Sequence, residues 1–175
     1  LVILEEFCVL VQQRMLTTAN ILDGVDYKGK NYKVTSIVDD AFYNCSLLES
    51  VTIGNNVTSI ENGAFSDCTS LKAFYGKLAS EDNRCLIVYG ELIDFAPAGL
   101  TSYTIPNGVT YIGPDAFSRS ESLTSITIPD GITCIKSCLF HSCENLKNIT
   151  IPNTVLTMGK NIFQGWTIKW HLNWM

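Results

Sequence analysis

Residues 123–146 read LTSITIPDGITCIKSCLFHSCENL, and residues 100–123 read LTSYTIPNGVTYIGPDAFSRSESL. Laid over each other, they share a leucine, an alternating apolar run, a proline, a second short apolar pattern and a phenylalanine at equal spacing. One unit of 23 residues is therefore repeated, and self-similarity at such a period marks a solenoid of stacked coils. Outward from this pair, the opening hexapeptide returns as LESVTI at residues 48–53 and LKNITI at residues 146–151. The leading leucines Leu48, Leu71, Leu100, Leu123 and Leu146 are spaced 23, 29, 23 and 23 residues apart, so one coil carries six extra residues.

Each coil continues with V-T-x-I or I-T-x-I, at residues 34–37, 57–60, 109–112 and 132–135, and then a phenylalanine: Phe42, Phe65, Phe117, Phe140 and Phe163. Stacking sets equivalent residues about 4.8 Å apart, so like residues form ladders along the solenoid, and the Leu, Ile and Phe ladders are the expected core. Strand alternation turns the intervening residues outward. One outward row reads Thr52, Tyr75, Thr104, Thr127, Thr150, and its neighbour Ser50, Ala73, Ser102, Ser125, Asn148. Pro106, Pro129 and Pro152 follow the strand ends, where a residue without an N–H stops the ladder and presets a turn.

The period lies within the roughly 20–29 residues of leucine-rich repeats. The two quoted coils resemble the BspA-like repeats, of the form L-x-x-I-x-I-P-x-x-V-x-x-I-x-x-x-A-F-x-x-C, over about residues 25–166. That resemblance implies an α/β leucine-rich-repeat solenoid, β-dominated and right-handed, of about six coils between residues 25 and 168, with short helical or 3-10 turns on the convex side. It also implies a cell-surface or secreted protein with an adhesion-type role. The repeat cysteine stands at Cys45, Cys68 and Cys143 but is replaced by Ser120, and Ala-Phe becomes Leu139-Phe140 and Ile162-Phe163. The family motif consists of structural residues, so it implies a class of function and no ligand site.

The enlarged coil carries an inserted hairpin at about residues 76–96. Residues 85–89 and 91–95 flank Gly90, and the polar stretch 80–84 reads as an exposed loop. Such insertions project from one face and often carry binding, against the alternative of a wider structural coil. Residues 1–24 form an N-terminal segment in which Ile3, Leu4, Phe7, Val11 and Met15 recur at helical spacing, which predicts a helical cap. Residues 169–175 close the chain. Around them Ile168, Trp170, Leu172 and Trp174 alternate with polar residues, so a terminal strand is expected; Trp166, Trp170 and Trp174 at i, i+4, i+8 offer a helix as the alternative, and an aromatic platform for sugars is the sharper reading.

Chemistry is sparse. Cys134, Cys138, His141 and Cys143 offer four donors but no tight C-x2-C knuckle, so buried thiols are the expectation rather than zinc. The two histidines belong to no nucleophile motif, and no phosphate-binding or dinucleotide glycine pattern occurs. Asp39, Asp40, Glu61 and Asp115 are placed in solvated turns. No catalytic, cofactor-binding or metal residues are therefore expected, and no enzyme. With 12 Lys plus Arg against 17 Asp plus Glu, the net charge of -5 disfavours nucleic acid. No apolar run reaches the 18 residues of a spanning helix, so no membrane insertion is expected. Glu5 and Glu6 stand where an export signal would carry Lys or Arg.

What remains is a binding module whose protein or glycan partner meets the strand face and the inserted hairpin. The candidate contacts are Ser50, Thr52, Tyr75, Ser102, Thr104, Ser125, Thr127, Asn148 and Thr150 on the face, with Asp82, Arg84 and Tyr89 on the insert. The alternative is a structural spacer or assembly element of a longer array, self-associating through its ends; ice binding by the threonine row is a more remote third reading.

Overall fold

The computed structural model describes residues 15–162 in full and, outside that range, the backbone of three short strands, Ile3–Leu4, Phe7–Cys8 and His171–Trp174. The first half of the chain forms β1 (Ile3–Leu4), β2 (Phe7–Cys8), β3 (Thr18–Ile21), β4 (Gly24–Tyr27), β5 (Lys30–Lys33), β6 (Ser36–Ile37), β7 (Ser50–Ile53), β8 (Ser59–Ile60) and β9 (Ala73–Tyr75). The enlarged coil supplies β10 (Cys85–Val88) and β11 (Glu91–Phe95). The second half forms β12 (Ser102–Thr104), β13 (Tyr111–Ile112), β14 (Ser125–Thr127), β15 (Cys134–Ile135), β16 (Asn148–Ile151), β17 (Thr157–Met158) and β18 (His171–Trp174).

The repeat builds two walls of parallel strands. In the first wall, the hexapeptide strands pair in the order β3-β7-β9 and β12-β14-β16-β18; in the second, β6 pairs with β8, β11 with β13 and β15 with β17. Register follows the period: Ser125 lies opposite Ser102 on one side and Asn148 on the other. Leu48, Leu71 and Leu123 are fully buried, as are Phe117 and Phe140. Phe42 stacks on Phe65 at 4.9 Å between centroids, and Phe117 lies 4.6 Å from Phe95 and 5.8 Å from Phe140.

The array begins earlier than the spacing of the later leucines suggests. Residues 16–21, LTTANI, are a first-wall strand segment: Leu16 leads it, Ala19 and Ile21 take the inward positions, and Ile21 is buried. The β4–β5 hairpin separates this strand from its second-wall partner β6. Five complete turns therefore run between Leu16 and Leu146. The expected sixth coil begins at Leu146, and residues 163–170 lie outside the described ones.

Three expectations are corrected. The helical cap over residues 1–16 does not form where it is described: β1 and β2 are antiparallel strands, with Ile3 opposite Cys8, and β1 adds to β6 on the second wall. The inserted hairpin does not project, as shown below. The convex segments, finally, are chained turns, and no helix occurs among the described residues. Their backbone gives the reason. The residue before each Ala-Phe position is left-handed, at Asp40, Gly63, Asp115, Cys138 and Asn161, and so is the second residue after each Phe, at Asn44, Asp67, Arg119 and Ser142. Two left-handed residues four apart interrupt a right-handed helix in four of the five complete turns, the shortened turn of the enlarged coil being the exception. Asp, Asn and Gly tolerate that conformation best, and they hold most of these places.

The β10–β11 hairpin crosses the interior and divides it. Cys85 and Phe95 face each other in register, as do Ile87 and Leu92; all four belong to the core of the second half. Leu86, Val88, Ile93 and Ala96 belong to the core of the first half. Both faces of this hairpin are thus packed, and the period-two alternation sends its side chains into two separate cores. It is a bulkhead, and it explains why the first wall is two sheets rather than one: the stretch before β10 takes the place beside β9, where Phe74 N donates to Asn83 O at 2.8 Å.

Candidate binding faces

The outward rows of the first wall are built by pairing. Asn20, Thr52 and Tyr75 stand in register on the first sheet, and Thr104, Thr127 and Thr150 on the second. The neighbouring row is Thr18, Ser50 and Ala73, then Ser102, Ser125 and Asn148. Thr52, Ser102, Thr104 and Asn148 are exposed, Ser50, Ser125, Thr127 and Thr150 half-buried, and Tyr75 is 46% exposed. The expected face residues are therefore brought together in two patches, three on one side of the bulkhead and six on the other. Thr18 and Asn20 extend the first patch; the signal for them was the LTTANI hexapeptide, hidden by the helical spacing of the residues before it. Of the C-terminal aromatic reading, Trp166 and Trp170 lie outside the described residues, and only the strand at His171–Trp174, parallel to β16, is seen.

The residues expected on the insert separate. Tyr89 sits at the tip of the bulkhead, 90% exposed, with φ of 51°, a left-handed backbone that is unusual for an aromatic residue. Asp82 and Arg84 are engaged internally. Asp82 accepts from Ser80 Oγ at 2.5 Å, from the Arg84 N–H at 3.1 Å and from the Tyr103 hydroxyl at 2.9 Å. Partial burial alone would raise its pKa; the Ser80 hydroxyl, the Arg84 N–H and the Tyr103 hydroxyl hold it below the usual value. Because the Tyr103 hydroxyl is committed to Asp82, the Cys85 thiol donates to the Tyr103 oxygen at 3.1 Å. Arg84 spans to the carbonyls of Ala96 at 3.2 Å and Ala98 at 2.9 Å. Of the stretch expected as an exposed loop, Glu81 and Asp82 are exposed, Asn83 and Arg84 half-buried and Ser80 buried, and its hydrogen bonds make it a tethered strap between the two first-wall sheets.

Asp94 is the group that sequence reasoning missed. It occupies the alanine position of the Ala-Phe pair, with Phe95 in the phenylalanine ladder, in a coil whose turn is cut to Leu92-Ile93-Asp94-Phe95 where the next has Ile112 to Phe117. In the first coil, Phe42 N donates to the carbonyl of Ala64 at 2.7 Å; here Phe65 N finds the Asp94 carboxylate at 3.1 Å instead. The carboxylate also accepts from Phe95 N at 2.9 Å. Burial pushes the Asp94 carboxyl up to about 7, against the opposing pull of the Phe95 and Phe65 N–H groups.

The shortened turn leaves a groove of about 350 Å³ on the turn side, lined by Asp39, Asp40, Tyr43, Asp67, Asp115 and His141 among others. Arg119 reaches across from the second half to Asp67, Nε to Oδ1 at 2.9 Å. Asp115 is exposed, as expected of a turn carboxylate; desolvation at the groove still raises its pKa, while His141 opposes the shift and Asp67 adds to it.

The buried thiols are donors within the scaffold. Cys68 Sγ donates to Phe42 O at 3.2 Å and Cys143 Sγ to Phe117 O at 2.9 Å. Burial raises the thiol of Cys68 strongly and those of Cys85 and Cys143 to about 12, so these three are protonated and poor nucleophiles or ligands at neutral pH. Cys134 and Cys138 are half-buried and unbridged. Among the described residues, no three His, Cys, Asp or Glu side chains converge as a metal site would require.

Comparison with known proteins agrees with this architecture. Residues 28–80 and 94–169 match the BspA type leucine rich repeat region in six copies, interrupted over the bulkhead. No curated protein sequence matches. Among solved structures, a leucine-rich repeat protein of Bacteroides ovatus is 23% identical, with a TM-score of 0.46, over 86% of this chain and 50% of that one. A leucine-rich repeat protein of Eubacterium ventriosum is 20% identical, TM-score 0.45, over 93% of this chain and 61% of that one. A leucine rich cell surface protein of Faecalibacterium prausnitzii is 19% identical, TM-score 0.29, over 90% of this chain and 69% of that one. This chain thus spans about half to two thirds of these solved chains. With its six matched copies, two-walled coils and ladders of Leu, Ile and Phe, the chain belongs to the BspA-type leucine-rich-repeat family.

Proposed function

We propose that the chain is a non-enzymatic binding module of a cell-surface or secreted protein, engaging a protein or glycan through the outward rows of the first wall. The observation that carries this reading is the larger patch. Ser102, Thr104, Ser125, Thr127, Asn148 and Thr150 stand in strict register on three adjacent strands, with spacings of one strand in one direction and one pleat in the other. Such a surface offers many uncharged hydrogen-bonding groups and no pocket, which suits a broad partner better than a small substrate. From the insert, Tyr89 at the tip and Asp82 on the strap are the exposed candidates, while Arg84 is half-buried.

Binding to a panel of matrix proteins, mucins and glycans tests it. Thr104→Arg with Thr127→Arg should abolish the response of any partner that uses the patch, while Thr58→Arg on the second wall leaves it intact. A panel that binds no better than an unrelated solenoid would count against the reading. The assembly alternative rests on a different observation: Leu156, beside the last second-wall strand β17, is 80% exposed, and β17 pairs only with β15 among the described residues. Sedimentation across a hundredfold range of concentration separates the two, since a strictly monomeric chain removes self-association.

A further inference from the structure

The β4–β5 hairpin stands apart from both walls. Its strands pair with each other and, among the described residues, with no third strand, so it is an extension of the first coil with two open edges. The turn is Lys28-Gly29, both left-handed at φ of 50° and 76°, which is the two-residue turn whose twist matches the flanking strands. Its base is closed by Val34 N donating to Asp23 O at 3.0 Å, and Val25 packs on the core of the first half.

Register sorts the side chains. Val25 lies opposite Tyr32 and Tyr27 opposite Lys30, so these four share one face, while Gly24, Asp26, Asn31 and Lys33 share the other. On the first face, the Lys30 ammonium stands 4.8 Å from the Tyr32 ring centroid, and the turn residue Lys28 stands 5.1 Å from that of Tyr27. Each tyrosine is half-buried and each lysine exposed. The only carboxylate of the hairpin, Asp26, is on the opposite face and accepts from Asn31 Nδ2 at 3.0 Å. None of Lys28, Lys30 and Lys33 is ion-paired among the described residues, whereas Lys72 and Arg119 are. In a chain of net charge -5, three of the 12 basic residues thus fall within six positions, and two of those three share a face with two aromatic rings.

We propose that this face, Tyr27, Lys28, Lys30 and Tyr32, is a binding site for an anionic carbohydrate, one carrying sulfate or carboxylate on its sugar rings. Two ammonium groups held over rings, with no carboxylate paired to them among the described residues, complement such an anion, and the ring edges offer apolar contact to sugar C–H groups. A nucleic acid fits less well. Base stacking needs an open ring face, and here each ring carries an ammonium. The site is separate from the first-wall rows, so its failure leaves the wall reading standing.

The experiment is titration of the whole chain with a heparin-derived hexasaccharide, its desulfated counterpart and a single-stranded DNA of equal charge, at several salt concentrations. The sulfated hexasaccharide should bind, with affinity falling as salt rises. Lys28→Gln with Lys30→Gln should weaken it at least tenfold without changing the thermal unfolding midpoint. Lys147→Gln with Lys160→Gln, which removes the same charge from exposed positions elsewhere, should change it less than twofold. No binding, equal binding of the desulfated sugar, equal binding of the DNA, or equal loss in the two double variants would each overturn the assignment.

Discussion

Replacing Asp94 by Asn should invert part of the pH dependence of stability. The native carboxyl is fully buried, with a pKa of about 7 against an ordinary value of 3.8. A group whose folded pKa is raised binds its proton more tightly in the native than in the unfolded chain, so its contribution is most favourable below about pH 4 and is lost as pH rises toward 7. The shift of roughly three units corresponds to about 4 kcal/mol at most. Ordinary surface carboxylates contribute little or act in the opposite sense, so the wild type alone does not isolate the effect; the difference from the variant does. Asn keeps an acceptor oxygen for Phe65 N, now 3.1 Å from the carboxylate, and cannot ionise. Urea unfolding from pH 4 to pH 8 is the assay. Wild type minus D94N should fall by up to about 4 kcal/mol between pH 4 and 7 and then level off, on top of a pH-independent offset because Asn can accept from only one of the Phe65 and Phe95 N–H groups. A difference that stays flat across this range would refute the assignment of a neutral buried carboxyl, and one that rises would show that Asp94 is stabilised as the anion.

Further consequences follow from the ladders and the strap. Ser120 Oγ, buried in the repeat-cysteine position, has no hydrogen-bond partner among the described residues, so Ser120→Ala should raise stability by about 1 kcal/mol in denaturant titration. Cys138 holds the left-handed place that Asp, Gly or Asn fills in the other turns, and Cys138→Gly should add about 1 kcal/mol, read as a higher unfolding midpoint. Tyr103→Phe removes the donor to Asp82 and the acceptor from Cys85; it should cost about 1–2 kcal/mol and speed hydrogen exchange at the Arg84 and Cys85 amides, while exchange in β16 stays unchanged.

The repeat itself was legible because each column is a local, one-residue property: Leu, Ile and Phe recur at a fixed spacing, and spacing converts directly into stacking. Most outward residues followed from the same alternation. Two kinds of feature did not. The convex turns were expected to contain helix because the resemblance implied it, and only backbone geometry shows that left-handed residues recur four apart in four of the five complete turns. Apolar residues at helical spacing in residues 3–15 likewise do not exclude short strands, and pairing with β6 decides for β1 and β2. The clue that the array starts at Leu16 was present, but Ala19 in a place held elsewhere by larger residues weakens the hexapeptide.

The bulkhead shows a further reason why the site was less legible than the fold. A hairpin flanking Gly90 is recognisable from alternation, but alternation does not say whether the second face meets water or another core. Residues 85–88 read Cys-Leu-Ile-Val and 92–95 Leu-Ile-Asp-Phe, with only one ionisable side chain besides the thiol. A projecting hairpin needs a polar face, and the near absence of one is the signal that both faces are buried. Accepting that signal moves Asp94 from a solvated strand to the interior, where a carboxylate must find backbone donors and pay for desolvation with a raised pKa. It also moves binding away from the insert. Six of the nine first-wall candidates lie on one uninterrupted sheet beyond the strap, and a rigid partner spanning both patches would have to cross Asp82 and Arg84. On the proposed binding role, the second patch is the larger continuous surface, and Tyr75 and Thr52 lie on the other side of the strap.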